Sequence, residues 1–186
     1  MRIGISGKAK AGKDTLASML VDANSKFSIH GFADRVKEVA MSMFPQMNQE
    51  NLFGDSHLRE ELIPGTQITY RQVLLDVGKL GRSYNKDFWV NSTLKYMENN
   101  SDLIIKDLRF ENEFNFLKSH DFFLVRIKRK DYTKIHDISE TEQDVLTDDM
   151  FDLVIENDKD LAYLCDQSQL ILRNYETRQK LLFSPF

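Results

Sequence analysis

The sequence feature that most constrains the fold is a nine-residue segment, G-K-A-K-A-G-K-D-T, at residues 7–15. It follows an apolar run of β type, Arg2–Ser6, and opens an amphipathic stretch with helical spacing at residues 13–22. Glycines in this arrangement turn successive backbone N–H groups toward one point, and the helix adds its positive end. The segment therefore predicts a phosphate-binding loop, in which Lys13 supplies a charge for the β- and γ-phosphates of a nucleotide.

The residue after the loop lysine departs from the usual pattern. A Ser or Thr at this position would ligate Mg²⁺ through its hydroxyl, whereas this chain has Asp14 followed by Thr15. We expect Asp14 to bind Mg²⁺ directly or through a water, and Thr15 to contact the α-phosphate. The alternative is a glycine-containing turn in which Asp14 is only a first-turn helix charge. The residues predicted to bind ATP in this segment are Gly7, Lys8, Ala9, Lys10, Ala11, Gly12, Lys13, Asp14 and Thr15.

Short β-rich runs alternate with longer amphipathic ones along the rest of the chain. Further strands are predicted at 27–30, 103–106, 122–128 and 153–155, and further helices at 35–44, 70–81, 88–99, 111–119 and 161–173. Strands separated by helices predict a parallel sheet. We therefore expect a single domain over residues 1–186, with a three-layer α/β phosphate-loop (P-loop NTPase) fold and a five-stranded parallel sheet.

A long excursion separates the second and third predicted strands. Residues 31–101 are far more than a simple crossover needs, and long excursions in small domains are usually functional. We interpret this segment as a helical acceptor-binding insertion; the alternative is an insertion that only enlarges the core. Within it, residues 45–69 contain two prolines and two glycines and are predicted to form a mobile surface segment beside the site.

The G-K-D-T ending resembles the phosphate loop of the deoxynucleoside monophosphate kinases of tailed bacteriophages and, more distantly, of animal phosphomevalonate kinases. The segment A-D-R-V-K at 33–37 and the signature D-L-R-F-E-N-E at 107–113 are similar to markers of the first family. Further markers resembling that family are Gly78, Arg82, Trp89 and Asn157-Asp158. The markers occur in the family's order and cover most of the chain.

This resemblance implies transfer of the γ-phosphoryl group of ATP to the 5′-phosphate of a deoxynucleoside monophosphate, with Mg²⁺ bridging the donor phosphates and Asn157 beside ATP. It also implies a short lid at 129–142, where basic residues follow the fourth strand and Arg129 would close over the transferring phosphoryl. The acidic stretch at 137–152 is interpreted as a polar surface helix. The predicted catalytic residues are Lys13, Arg109 and Arg129.

Acceptor residues are expected both in the insertion and at the end of the third strand. Asp107 is expected at the ligand crevice, near the acceptor and Mg²⁺, or as the N-cap of the following helix. Arg109 would clamp the acceptor phosphate, or pair with Glu113. The remaining predicted acceptor residues are Phe32, Lys37, Arg71, Arg82 and Trp89. The alternatives are a solvated helix face for the basic residues and a place in the core for Trp89.

Composition restricts the partners. The net charge of −4 gives no basic field for nucleic acid, and the apolar runs are too short to span a membrane. The single cysteine, Cys165, fits a reducing cytoplasm, that of the infected host cell if the chain is of phage origin. We expect no nucleic-acid or membrane partner, and leave a homodimer open. Two other functions also stay open: a kinase of another small phosphorylated metabolite, as in phosphomevalonate kinase, and a nucleotide-binding module without catalysis.

Overall fold

The computed structural model describes residues 1–130 and 145–183. The chain divides into two units: Met1–His30 together with Lys95–Phe186, and Gly31–Leu94. We call them the sheet unit and the helical unit. The helical unit falls inside the predicted insertion at 31–101 and ends seven residues before it.

The sheet unit is built on five parallel strands. They are β1 (Arg2–Ser6), β2 (Ser28–His30), β3 (Leu103–Leu108), β4 (Phe123–Lys128) and β5 (Leu153–Glu156), in the order β2-β3-β1-β4-β5. Each neighbouring pair is parallel. β1 therefore lies in the centre, and its carboxyl end opens where ligands bind in such sheets.

Eight α-helices are found in the described ranges of the chain. They are α1 (Lys13–Ala23), α2 (Phe32–Met43), α3 (Gln49–Phe53), α4 (Tyr70–Tyr84), α5 (Phe88–Ser92), α6 (Leu94–Asn99), α7 (Glu111–Ser119) and α8 (Leu161–Phe183). Short 3₁₀ turns occupy Ser56–Glu60 and Asp148–Met150. None of the helices in these ranges is both long and apolar enough to cross a membrane.

Helices cover the sheet on two faces because successive side chains of a strand point to opposite sides. Ile3 and Ile5 of β1 are fully buried in one cluster with residues of α1 and α8. Gly4 faces the other way, where an added Cβ would lie 2.8 Å from side-chain atoms of Leu117 in α7 and of Leu124. The expected three-layer α/β architecture is confirmed.

Strand β3 carries one more residue than its partner β1. Gly4 pairs with Ile105 and Ser6 with Leu108, so the register shifts at Lys106 and Asp107. A bulge of this kind changes the direction of side chains and is common beside active sites. It lies at the carboxyl end of the sheet, next to the loop that follows β1.

The helical unit has its own hydrophobic core, and Trp89 is part of it. The Trp89 side chain is 5% exposed, and its Nε1 donates to the carbonyl oxygen of Gly78 at 2.9 Å. Gly81 is required there, because a Cβ would lie 2.5 Å from the indole ring. The buried residues of this core are Val36, Ala40, Met47, Leu52, Ile63, Tyr70, Val73, Val77 and Trp89.

The five predicted strands are confirmed within one to two residues at their ends, but three segments differ from expectation. The helix predicted at 161–173 continues to Phe183. The interpretation of 45–69 as surface is wrong at Met47, Leu52 and Ile63, which are buried. The predicted helix at 88–99 is interrupted at Thr93, whose hydroxyl donates to the carbonyl oxygen of Val90 at 2.7 Å. The local hydrogen bond competes with continuation of the helix.

Candidate active site

The loop between β1 and α1 has the backbone shape of a phosphate cradle. Lys10 and Gly12 have positive φ angles of 61° and 107°. A side chain at Gly7 would overlap the carbonyl oxygen of Ile127 in β4. The N–H of Ala11 donates to the carbonyl oxygen of Lys8 at 3.2 Å and closes the turn. Successive residues in such conformations point their N–H groups toward one concavity, which favours an anion.

The side chain of Lys13 lies across this loop. Its Nζ donates to the carbonyl oxygens of Gly7 at 2.5 Å and Lys8 at 2.9 Å. Lys13 is the first residue of α1, so its charge adds to the positive end of the helix. The predicted position of the lysine, beside the phosphate cradle, is therefore what the structure describes.

Asn157, at the end of β5, holds the loop from the other side. Its buried Nδ2 donates to the carbonyl oxygen of Ala11 at 2.9 Å, and its backbone N–H donates to the carbonyl oxygen of Lys128 at 2.7 Å. A Cβ on Gly12 would lie 2.5 Å from this same Nδ2. The predicted ATP-binding residue Asn157 thus contacts the phosphate loop itself.

A cavity of about 510 Å³ adjoins the loop. Its walls come from the loop, from the carboxyl end of β4 and from residues 146–148. The lining residues are Gly7, Lys8, Ala11, Arg126, Ile127, Lys128, Arg129, Leu146, Thr147 and Asp148. Four of these are basic and one is acidic, so the cavity suits an anionic ligand of nucleotide size.

Lys128 and Asp148 link β4 to the segment before β5. The Lys128 Nζ lies 2.8 Å from an Asp148 carboxylate oxygen and 3.0 Å from one of Glu156. The hydrogen bond to Asp148, followed by that to Glu156, raises the pKa of Lys128, and the bond from Lys128 lowers the pKa of Asp148. Arg126 adds an ion pair with Asp148 at 3.4 Å. The raised pKa keeps Lys128 protonated at neutral pH.

Asp14 forms an ion pair with Lys106 of β3, at 2.7 Å between Nζ and Oδ1. The Asp14 side chain is 80% exposed, whereas that of Lys106 is 30% exposed. Thr15 is also exposed. Within the described ranges no three His, Cys, Asp or Glu side chains are grouped as a metal site. A single exposed carboxylate beside a phosphate loop still fits Mg²⁺, which usually keeps waters and takes its other ligands from the phosphates.

The signature segment at 107–113 is organised by Glu113. This buried carboxylate accepts the backbone N–H of Arg109 at 2.8 Å and that of Phe110 at 3.0 Å. Burial, with a smaller contribution from the charge of Asp107, raises the pKa of Glu113 to about 8. The N-cap of α7 is Phe110, so the alternative role of Asp107 as N-cap is wrong. Asp107 and Arg109 are both half-buried.

The predicted acceptor residues of the helical unit fall into two groups. Phe32 and Trp89 are buried, at 2% and 5% exposure, which favours the core alternative for Trp89 and extends it to Phe32. Lys37 is also buried, so the alternative of a solvated face does not apply to it. Its Nζ lies 3.1 Å from Asp34 and 4.4 Å from the centre of the Phe53 ring.

The two predicted arginines of that unit are half-buried on α4. Arg71 pairs with Glu60 and donates to the carbonyl oxygen of Ser56 at 3.3 Å. Arg82 lies over Gly78, where a Cβ would be 3.5 Å from both of its terminal nitrogens. The Arg82 guanidinium therefore lies beside Gly78 of its own helix.

Only the start of the predicted lid at 129–142 can be described. Arg129 is exposed and lines the cavity beside the loop. Lys130 pairs with Asp158 at 3.0 Å, and the hydrogen bond from the Lys130 backbone N–H lowers the pKa of Asp158. The rest of the predicted lid lies outside the described residues.

Several residues of this site were not singled out from the sequence. Arg126 and Lys128 line the cavity from one face of β4. Residues two apart in a strand share a face, so the predicted strand could have indicated this pair. The position of Lys106 depends on the bulge in β3, which no local sequence pattern predicts. Asp148 lies in a stretch whose acidic residues favoured a surface helix.

These features together define an α/β fold of the P-loop class: a central parallel strand, a glycine-containing loop with a lysine lying across it, and a helix that begins directly after the loop. Comparison with a known structure agrees. Shikimate kinase from Aquifex aeolicus superimposes with a TM-score of 0.53 over 95% of this chain and 99% of its own, at 16% sequence identity. That likeness concerns the fold alone.

Sequence comparisons narrow the class. The family model described as deoxynucleotide monophosphate kinase matches residues 77–167, a stretch that contains Gly78, Arg82, Trp89, the 107–113 signature and Asn157. A protein of Acanthamoeba polyphaga mimivirus, provisionally named as a deoxynucleotide monophosphate kinase, is 27% identical over 183 residues, covering 89% of this chain and 92% of the relative. The resemblance to this kinase family, predicted from the motifs, is confirmed. The family match and the fold support a nucleotide kinase.

Proposed function

We propose that the chain transfers the γ-phosphoryl group of ATP to the 5′-phosphate of a deoxynucleoside monophosphate, giving ADP and the deoxynucleoside diphosphate. The observation that carries the proposal is the loop of residues 7–15, with Lys13 lying across it and a cationic cavity of about 510 Å³ beside it. The family match and the mimivirus relative support a deoxynucleotide as the substrate class.

The donor is assigned to the sheet unit. Backbone N–H groups of the loop would hold the phosphates, and Lys13 would exchange the carbonyl oxygens of Gly7 and Lys8 for the β- and γ-phosphate oxygens. Arg129 lies at the cavity, where a guanidinium can stabilise charge on the transferring group. Asn157 would keep the loop in its binding shape through its bond to Ala11.

Mg²⁺ is assigned to the same site, with Asp14 as its protein ligand and Asp107 as a second carboxylate. Bound with ATP, it would neutralise part of the charge on the phosphates. Asp14 suits this role because its side chain is exposed beside the loop lysine.

The acceptor is assigned to Lys37, Arg71 and Arg82 of the helical unit, together with Arg109. A phosphate dianion needs cations, and guanidinium groups can bind it bidentately. Lys37 supports the assignment best, since a buried ammonium with one carboxylate partner and an aromatic ring is held in a fixed position. Phe32 and Trp89 would shape the pocket as parts of the core.

An acceptor screen tests the proposal. ADP release from Mg·ATP is followed with each of the four deoxynucleoside monophosphates, their ribonucleoside counterparts and phosphomevalonate, and the products are separated by anion-exchange chromatography. We expect ADP and a deoxynucleoside diphosphate in equal amounts. Turnover with phosphomevalonate alone would indicate the metabolite kinase, and ATP binding without any product would indicate a non-catalytic module.

A further inference from the structure

Asp14 places a negative charge where a triphosphate must bind. The residue follows the loop lysine, and its exposed carboxylate would repel an incoming nucleotide unless a cation neutralised it. Two lysines of the loop, Lys8 and Lys10, are the nearest candidates in the sequence. The structure gives Asp14 an ion pair with Lys106, ninety-two residues away on β3.

The β3 bulge explains how Lys106 reaches this position. Lys106 and Asp107 occupy the stretch of β3 that has one residue more than β1 between the pairs Gly4–Ile105 and Ser6–Leu108. Lys106 then contacts Asp14 at the start of α1, while Asp107 is close enough to Glu113 to affect its pKa. Lys106 therefore acts at the start of α1, and the adjacent Asp107 acts at the start of α7.

The exposed fractions of the two side chains show which of them lies closer to the protein interior. Lys106 is 30% exposed and Asp14 is 80% exposed, so the lysine reaches the carboxylate from the protein side and the carboxylate stays open to solvent. A cation held this way can neutralise Asp14 without covering the loop. The Lys106 ammonium and a hydrated Mg²⁺ would both neutralise the Asp14 carboxylate. When Mg²⁺ is bound, neutralisation by Lys106 would therefore matter less.

We propose that Lys106 is a positioning residue of the donor site, which neutralises Asp14 so that ATP binds the loop even without a divalent cation. The inference rests on the proposed ATP site and adds a residue that the phosphate-loop pattern does not contain. Its effect on the nucleotide passes through Asp14. Removing Asp14 should therefore remove the need for Lys106.

Isothermal titration with a non-hydrolysable ATP analogue tests this, in EDTA and in Mg²⁺, for the wild type, Lys106→Met, Asp14→Ser and the double variant. In EDTA we expect Lys106→Met to weaken binding by about tenfold, because one like charge near the phosphates is exposed. The same substitution in the Asp14→Ser background should change binding less than about twofold, since no carboxylate remains to be neutralised. In Mg²⁺ the effect on the wild-type background should shrink to less than about threefold, because the metal takes over the neutralisation.

Lys26→Met is the matched control, since Lys26 is an exposed lysine in the turn before β2, at the opposite end of the sheet. It removes one positive charge and should leave both affinities unchanged; circular dichroism melting shows whether each variant is folded. An equal loss with and without Asp14 would mean that Lys106 contacts the nucleotide itself, and would overturn the proposal. So would wild-type binding only in Mg²⁺, or no loss for Lys106→Met in EDTA. If the wild type binds no nucleotide in either condition, the proposed function fails as well.

Discussion

The side-chain amide of Asn157 donates to the carbonyl oxygen of Ala11 at 2.9 Å, across 146 residues of sequence. The bond is buried and joins the end of β5 to the middle of the phosphate loop. Ala11 and Gly12 are thereby fixed by a residue that is neither in the loop nor next to it. The loop geometry depends on β5 being in place, so the carboxyl-terminal part of the fold preorganises a site that the first fifteen residues encode.

Asn157→Ala should loosen the loop without unfolding the protein. The carbonyl oxygen of Ala11 would lose a buried partner, at a cost of about 1–3 kcal/mol in the free energy of unfolding. ATP affinity should fall by about tenfold, because the free loop must pay for ordering that Asn157 now provides. Urea unfolding and nucleotide titration measure the two effects. Asn24→Ala, on the far side of the sheet unit, serves as control, and unchanged ATP affinity in Asn157→Ala would contradict this role.

Gly12→Ala should abolish nucleotide binding, whereas Gly65→Ala should not. Both glycines have positive φ angles, 107° and 77°, so alanine is strained at each by about 1 kcal/mol. They differ in their surroundings: a Cβ at Gly12 would lie 2.5 Å from Asn157 Nδ2, while one at Gly65 meets nothing within 4 Å. Titration of both folded variants with ATP provides the measurement. Equal affinities would show that neither the strain nor the contact at Gly12 affects nucleotide binding.

Lys13→Ala should lower turnover by at least about 100-fold with the fold retained, because the variant loses the charge that follows the phosphoryl group through the transition state. The Lys13 ammonium donates to carbonyl oxygens of the loop that are partly exposed, so losing these bonds should cost little stability. Steady-state ADP release, with thermal melting as the folding control, provides the measurement. Near-wild-type turnover would remove the argument from the phosphate loop.

The central features of the fold were predictable because they depend on local patterns. Apolar runs bounded by turns and separated by helical spacing gave all five strands, and the glycine-lysine segment placed the loop after β1. The burial of Met47, Leu52 and Ile63 was not predictable. The prolines and glycines of that segment indicate turns, whereas tertiary contacts bury its apolar side chains. The break at Thr93 likewise depends on one side-chain hydrogen bond.

The positions of site residues were predictable where a sequence motif or the family resemblance indicates one role for a residue. Lys13 lies at the loop, Arg129 lines the cavity and Asn157 contacts Ala11, as expected from motif and resemblance. Lys106 was missed because its role depends on strand register, and Arg126 because its partner Asp148 is brought to it only by the sheet. Aromatic residues are ambiguous in sequence: Phe32 is predicted as an acceptor residue, but its side chain is buried.

Lys37→Ala and Arg82→Ala should impair use of the monophosphate while leaving ATP affinity unchanged. Each variant removes one cation that we assign to the acceptor, with an expected loss of about 10- to 100-fold in kcat/KM for that substrate. Titrations with ATP and with a deoxynucleoside monophosphate, run separately, decide the assignment. Lys86→Ala, an exposed lysine of the same unit, controls for charge. A fall in ATP affinity with normal monophosphate binding would reverse the assignment.

Glu113 should make the stability of the protein depend on pH. Burial raises the pKa of its carboxyl to about 8, whereas the same group in the unfolded chain has its ordinary pKa of 4.5. Below pH 4.5 both states are protonated. Between these two values the unfolded chain releases the proton while the folded chain keeps it, so the free energy of unfolding falls as the pH rises; above pH 8 this contribution is constant.

Glu113→Gln should therefore remove that part of the pH dependence. The glutamine oxygen can still accept the N–H groups of Arg109 and Phe110, as the protonated glutamic acid does, so the two proteins should be about equally stable near pH 5. Near pH 8.5 the variant should be more stable by a few kcal/mol, on the order of 1.36 kcal/mol for each pKa unit. Urea unfolding at several pH values gives the difference, with Glu111→Gln, an exposed residue of the same helix turn, as control. Parallel pH curves for wild type and Glu113→Gln would show that Glu113 is ionised in the folded protein at neutral pH, held by the two backbone N–H bonds and Arg109 against the cost of burial.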